Sequence, residues 1–257
     1  MICWVVERTL AARNVSRAIV ATDDARIIEA VKSAGYEAVM TGAHHKSGTD
    51  RTAEVAASLE DADIIVNVQG DEPLISPVTI ERAIDALGDE GNPGKGEEGK
   101  GQVGIVTTWE PMESAADVLN PDVVKIVVGG DERAIYFSRL PVPYPRDAVR
   151  QHGSIEAALL EEPGLLTNFR KHTGLYVYRR DILLAFANWP QSELEHLESL
   201  EQLRALEHGV KIKAIKASAN SIGVDTIADL EGVRRLVSSS EFRVSGSLGQ
   251  VETFSGA

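Results

Sequence analysis

The chain has 257 residues, 43% apolar and 25% charged, with a formal net charge of −13, the profile of a soluble globular protein with a substantial core and without a surface built to track nucleic-acid phosphates. Cys3 is the only cysteine, which excludes an internal disulfide and a cysteine-based metal site. No apolar run approaches the roughly 20 residues of a membrane span, and Met1 to Val6 runs at once into Glu7 and Arg8 with no basic leader, so the expected compartment is the cytoplasm, with neither membrane nor nucleic acid as partner.

Residues 1–14 read as a helix with Ile2, Val5, Val6 and Leu10 on one stripe, although nothing ahead of Met1 caps it. A buried strand at 18–21 ends in Thr22-Asp23-Asp24, which caps a helix over 25–34 that stops at Gly35. A short strand at 37–40 precedes a polar loop, 41–51, and a helix over 50–59. His44 and His45 sit in that loop, but adjacent histidines on extended chain point apart, so they are not read as metal ligands. A strand at 63–68 and a helix from Pro77 to about 87 follow. This alternation predicts an α/β fold with a Rossmann-like, doubly wound, mainly parallel sheet.

Residues 88–101 are low in complexity and read as a flexible insertion. Strands are expected at 103–106, 123–128 and 134–137, then a proline-rich stretch, then a mobile loop with a helical segment over 148–168. The rest reads as a strand at 171–178, a helix at 181–188, one long helix over 192–207, a strand at 211–217 and a helix at 227–237. In the long helix the leucines at 194, 197, 200, 203 and 206 are core by default, and Glu195, Glu198 and Glu201 are solvated by default. One domain over 1–237 is expected, its second half forming a less regular cap, with a Ser/Gly-rich frayed tail at 238–257.

The stretch that organises the chain is Ile64-Ile65-Val66-Asn67-Val68-Gln69-Gly70-Asp71-Glu72-Pro73. A β-branched run that turns polar within three residues is a buried strand delivering Gln69 and Asp71 at its C-terminal end, where open α/β sheets place ligand chemistry. Asp71 offers a hard oxygen ligand suited to Mg²⁺. Asp225, in Gly223-Val224-Asp225-Thr226, reads by itself as a helix cap, or as a second carboxylate sharing that ion. Arg139, Arg146, Lys171, His172 and Tyr176 form a cationic and polar set able to grip a sugar acid, although His172 taken on its own reads first as a half-buried structural histidine. No G-x-S-x-G, H-E-x-x-H or G-x-G-x-x-G occurs.

Several stretches occur in a telling order: Ile19 to Asp24, Ser47-Gly48-Thr49-Asp50-Arg51, Ile65 to Pro73, Asn120 to Lys125, Tyr136-Phe137-Ser138-Arg139, His172 to Tyr178, Leu194 to Leu206 with Glu198-Ser199-Leu200-Glu201-Gln202-Leu203-Arg204 inside it, and Gly223-Val224-Asp225-Thr226. The ordered set resembles the 3-deoxy-D-manno-octulosonate cytidylyltransferases (CMP-Kdo synthetases) over residues 1–237. The resemblance implies a Mg²⁺-dependent homodimer that joins CTP and Kdo into CMP-Kdo and pyrophosphate for lipopolysaccharide assembly. It implies Asp71 and Asp225 as catalytic magnesium ligands, and Gln69, Arg146, His172, Tyr176, Glu201 and Gln202 as substrate-binding. It implies Ser47, Gly48 and Thr49 as the loop near the cytosine. Members of that family begin with a buried strand and a basic loop, I-P-A-R-x-x-S-T-R-L-P-G-K-P, that holds the CTP phosphates. The sequence given starts after that point, so the expectation is a longer protein or, failing that, an incomplete phosphate site.

Overall fold

The computed structural model describes residues 1–45, 47–88, 103–224 and 226–238. The 88–101 insertion beyond its first residue, Asp225, and the expected tail beyond residue 238 lie outside the described residues. The chain opens with α1 (Ile2–Leu10), β1 (Ile19–Thr22), α2 (Ala25–Ser33), β2 (Glu37–Met40), α3 (Gly48–Ala57), β3 (Ile64–Asn67) and α4 (Pro77–Gly88). It continues through β4 (Val103–Pro111), α5 (Ala115–Leu119), β5 (Lys125–Val128), β6 (Ala134–Ser138), α6 (Arg146–His152), α7 (Ile155–Glu161) and a 3-10 turn (Pro163–Asn168). It closes with β7 (Arg170–Arg179), α8 (Arg180–Phe186), α9 (Glu193–Glu198), α10 (Gln202–Glu207), β8 (Lys211–Lys216) and α11 (Ile227–Ser238). No helix among the described residues is long and apolar enough to cross a membrane.

β7 is the hub of a six-stranded sheet ordered β6-β5-β7-β4-β8, with β3 also paired to β7. On one edge β7 carries β4 along most of its length. On the other edge β3 covers residues 176–179 and β5 meets Lys171, so the described pairings leave 173–175 open between them. β1 and β2 form a separate parallel pair. The α/β class is as expected, but the sheet is mixed rather than mainly parallel: β4–β8 is parallel, while β3–β7, β4–β7, β5–β6 and β5–β7 are antiparallel. Apolar runs report burial, not strand direction, and regular β-α-β alternation covers only the first third of the chain.

The strands alternate their side chains between two cores. Ile65, Ile105, Tyr176 and Tyr178 face α3, α8 and α10 through Ala53, Ala56, Leu183, Phe186 and Leu203. Val106, Leu175 and Val177 face α4, whose Ile80, Ala83 and Leu87 recur at helical spacing and are each 0% exposed. Burying a leucine or isoleucine to that degree contributes roughly 1.5–3 kcal/mol.

Two expectations change for identifiable reasons. Residues 148–168 carry the expected helical segment but not a mobile loop around it: Gly153 ends α6 in the left-handed region at φ 88°, Ser154 caps α7, and Leu159 and Phe169 share a small core with Met112 and Val118. The single helix expected over 192–207 is two helices, broken at Ser199, whose φ is 51°. The Arg139 side chain donates to the carbonyls of Glu198 and Ser199, groups that a continuing helix would have bonded internally. Arg139 is thereby a strut, not part of the sugar-acid set.

Candidate active site

The end of β3 runs into Gln69 at the open stretch of β7. Gly174 is what admits it: a Cβ there would lie 2.9 Å from Gln69 Cγ. On its other side Gln69 faces the first turn of α3, where a Cβ on Gly48 would be 3.9 Å from Oε1. Ser47 begins that turn as N-cap, accepting from the Asp50 N–H at 3.2 Å. Gln69, Ser47, Gly48 and Thr49 are therefore brought together.

Glu201 joins this group from 150 residues away. The break at Ser199 turns it from the face of α9 toward α3, where the Thr49 hydroxyl donates to Oε1 at 2.5 Å. Burial pushes the Glu201 carboxyl above its ordinary value, against the pull of hydrogen bonds from Thr49 and Ser47. Its Oε2 is buried with no partner among the described residues. The Nδ2 of Asn67, a residue 8% exposed at the end of β3, is likewise unpartnered among the described residues. Asn67 stands opposite Tyr176 in the β3–β7 register. The wall thus carries one unspent donor and one unspent acceptor.

His172 and Tyr176 line the same face of β7, with ring centroids 5.4 Å apart, and Phe137 meets the imidazole edge-on at 5.0 Å. Burial lowers the His172 pKa to about 3 and raises that of Tyr176, so both rings are neutral near pH 7. The Thr107 hydroxyl donates its one proton to the Leu175 carbonyl at 2.9 Å, so Nε2 of His172, 2.9 Å from that hydroxyl, is the protonated nitrogen. Nδ1 is left as an acceptor. Gln202 opens α10 and is 6% exposed.

The remaining expected residues stand differently. Arg146 opens α6 with its side chain 72% exposed, and its described ion pair is with Asp147 at 3.6 Å; the structure does not bring it to His172. Lys171 pairs with Glu110 at 3.7 Å. Asp71 is exposed, and its carbonyl accepts the Val224 N–H at 2.9 Å, which seats the residue before Asp225 on Asp71 itself. Asp71 offers a hard carboxylate oxygen of the kind Mg²⁺ prefers, while the second expected ligand, Asp225, lies outside the described residues. No cluster of three potential metal-binding side chains occurs among the described residues, of which Asp225 is not one.

Sequence reasoning missed Thr107, Asn67 and the wall formed by Glu201 and Thr49. Asn67 carried a usable signal, a polar residue inside a β-branched run. Thr107 carried none, because its partner is set by an irregularity in strand pairing. The glutamates of the leucine-rich segment were expected in solvent, yet Glu195 is 4% exposed and paired with Arg204, and Glu198 accepts from the Ser138 hydroxyl at 2.8 Å.

The cytidylyltransferase family profile matches residues 1–212. A 3-deoxy-manno-octulosonate cytidylyltransferase of Trichlorobacter lovleyi is 48% identical over 230 residues, covering 90% of this chain and 85% of the relative. One of Geobacter metallireducens is 47% identical over 236 residues, 91% of this chain and 85% of the relative. A solved CMP:2-keto-3-deoxy-manno-octonic acid synthetase complexed with CTP superposes with a TM-score of 0.76 at 40% identity, over 92% of this chain and 86% of that one. The matched span, residues 1–212, takes in the strand exit, the α3 turn and the α9–α10 pair from which the wall is built. The chain belongs to the cytidylyltransferases, as a nucleotidyltransferase of the 3-deoxy-manno-octulosonate group.

Proposed function

We propose that the chain transfers the cytidylyl group of CTP to the anomeric hydroxyl of Kdo, releasing pyrophosphate, in the cytoplasm and as a homodimer. The observation that carries this reading is Glu201, which binds the α3 turn through Oε1 and keeps Oε2 for a ligand. Together with Asn67 Nδ2, it suits a substrate whose hydroxyls both donate and accept. Relatives named for this sugar acid and a neighbour solved with CTP support the choice of substrates.

Both substrates are anions, so charge repulsion is the first obstacle. Ser47, Gly48 and Thr49 meet the cytosine at the start of α3, while Gln69, His172, Tyr176, Glu201 and Gln202 orient the sugar. Neutral His172 accepts a sugar hydroxyl at Nδ1 without adding charge. Arg146 grips the carboxylate, which requires α6 to move inward from its exposed position. The Kdo hydroxyl oxygen then bonds to the α-phosphorus as the bond to the bridging oxygen breaks. Pyrophosphate leaves with that electron pair, and the hydroxyl proton passes to solvent. Asp71 and Asp225 would hold Mg²⁺, which supplies charge neutralisation and hydroxyl activation when bound. Catalysis is positioning and electrostatics, without a covalent enzyme intermediate.

The test is pyrophosphate release from CTP with Kdo and Mg²⁺, beside the same assay with N-acetylneuraminate. Turnover with Kdo is expected, and Asp71→Asn should reduce it on the order of 100-fold or more. Preferential turnover of N-acetylneuraminate would overturn the substrate. Binding of CTP and Kdo without turnover would reassign the chain as a binding subunit.

A further inference from the structure

Residues 217–224 connect β8 to Asp225 without helix or strand of their own. Side chains hold them instead. The Ser218 N–H donates to Thr79 Oγ1 at 3.0 Å, and its hydroxyl lies 2.7 Å from Thr79 Oγ1 and 2.9 Å from Ser76 Oγ. Asn220 Nδ2 donates to Glu113 Oε1 at 2.5 Å. Ser221 is held by two acids, Glu110, which is buried, and Glu72, which is half-buried: its N–H donates to Glu110 Oε1 at 2.6 Å and its hydroxyl to Glu72 Oε2 at 3.1 Å. Three residues on, the Val224 N–H reaches the Asp71 carbonyl.

Neither acid is on the surface for solubility. Glu110 is 3% exposed near the end of β4. Glu72 lies against the open stretch of β7 and accepts the Gly174 N–H. Burying a carboxyl is costly unless its oxygens are used, and here both acids spend an oxygen on the same serine. A loop that needed only to connect two elements would have no need of them.

We propose that Glu72 and Glu110 are positioning residues that hold the 218–224 segment, through Ser221, against the Asp71 turn. The role beside Asp71 rests on the functional reading above; the clamp itself does not. It differs from a general packing role in one respect. Loss of Glu110 should loosen the Val224–Asp71 hydrogen bond, which Glu110 does not touch.

The test is amide hydrogen exchange on the full chain for Glu110→Ala, Glu110→Gln and Ser221→Ala. Exchange at Val224 should accelerate on the order of tenfold in Glu110→Ala and less in Ser221→Ala, with the Ile80 amide of α4 unchanged. Glu110→Gln keeps a carbonyl acceptor and should restore protection. Wild-type protection of Val224 in Glu110→Ala, or acceleration spread equally over α4, would overturn the clamp. A second readout is Mn²⁺ affinity in the presence of CTP without Kdo, which should weaken roughly tenfold in Glu110→Ala while CTP affinity holds. Unchanged Mn²⁺ affinity despite faster exchange would overturn the positioning role. Failure of the unaltered chain to bind Mn²⁺, with Val224 still responding to Glu110, would support the clamp and remove Asp71 from a metal site.

Discussion

Glu195, which is buried, and Glu201, half-buried with its Oε2 out of solvent, lie six residues apart on either side of the Ser199 break, yet they are in opposite states. Glu195 has its two oxygens taken by Arg204, at 2.5 and 2.7 Å, with the Ser192 N–H adding a third bond at 3.2 Å. Burial pushes its pKa up, but these bonds outweigh that and hold it below the ordinary carboxylate value. Glu201 has one oxygen bonded and one without a partner among the described residues, and its pKa is raised. Burial alone therefore does not mark a functional acid. Unspent bonding capacity is what separates the two acids, and it is the ground on which Glu201 is proposed to meet a substrate.

The largest effect is expected at Arg204. Arg204→Met should strand the Glu195 charge in the core and cost about 3–5 kcal/mol in a urea unfolding measurement. A loss near zero would mean that Glu195 is no more committed than Glu201. The next effect in size is on the other acid. Glu201→Gln should leave stability within about 1 kcal/mol of wild type while the KM for Kdo rises roughly tenfold and the KM for CTP stays put. Equal changes in both constants would make Glu201 a structural acid after all.

The smallest effect is in the pH dependence of unfolding. Glu201 has a folded pKa above its unfolded value, so its contribution is complete below the ordinary value of 4.5 and is lost as pH rises through the raised one. Glu195 has a depressed folded pKa, so its contribution is present above 4.5 and disappears as pH falls through the lowered value. Urea denaturation across pH 4–8 should show a fall on the alkaline side in wild type, to which Glu72 and Glu110, also raised by burial, contribute, and a smaller fall in Glu201→Gln. A fall of unchanged size in the variant would assign it to Glu72 and Glu110 alone.

How much of this was legible depended on range. Local rules placed the caps: Asp24, through the acidic cluster that begins at Thr22, is the N-cap of α2 and accepts the Arg26 N–H. The strand that ends at Gln69 and Asp71 was legible because a β-branched run turns polar. The break at Ser199 was not, since leucines recur every third residue straight through it. The instruction for the break sits in Arg139, 60 residues upstream. Strand direction was equally hidden, and with it the opening beside Gly174. The resemblance to a family supplied Glu201 as a site residue, but only the fold explains how it reaches Thr49.

The irregular β4–β7 pairing keeps the two halves of β7 in phase. The register goes from Thr107 opposite Tyr176 to Thr108 opposite Thr173, so β7 advances three residues where β4 advances one. The surplus is two, an even number. Side chains on a strand alternate, so an even surplus returns the pattern to phase, whereas a surplus of one would send everything beyond it to the opposite side. His172 thus keeps company with Tyr176 and Tyr178 although the ladder between them is interrupted. The interruption makes room for Gln69 without inverting the wall behind it, and a single-residue deletion at 174 or 175 would exchange His172 for Thr173 at that wall.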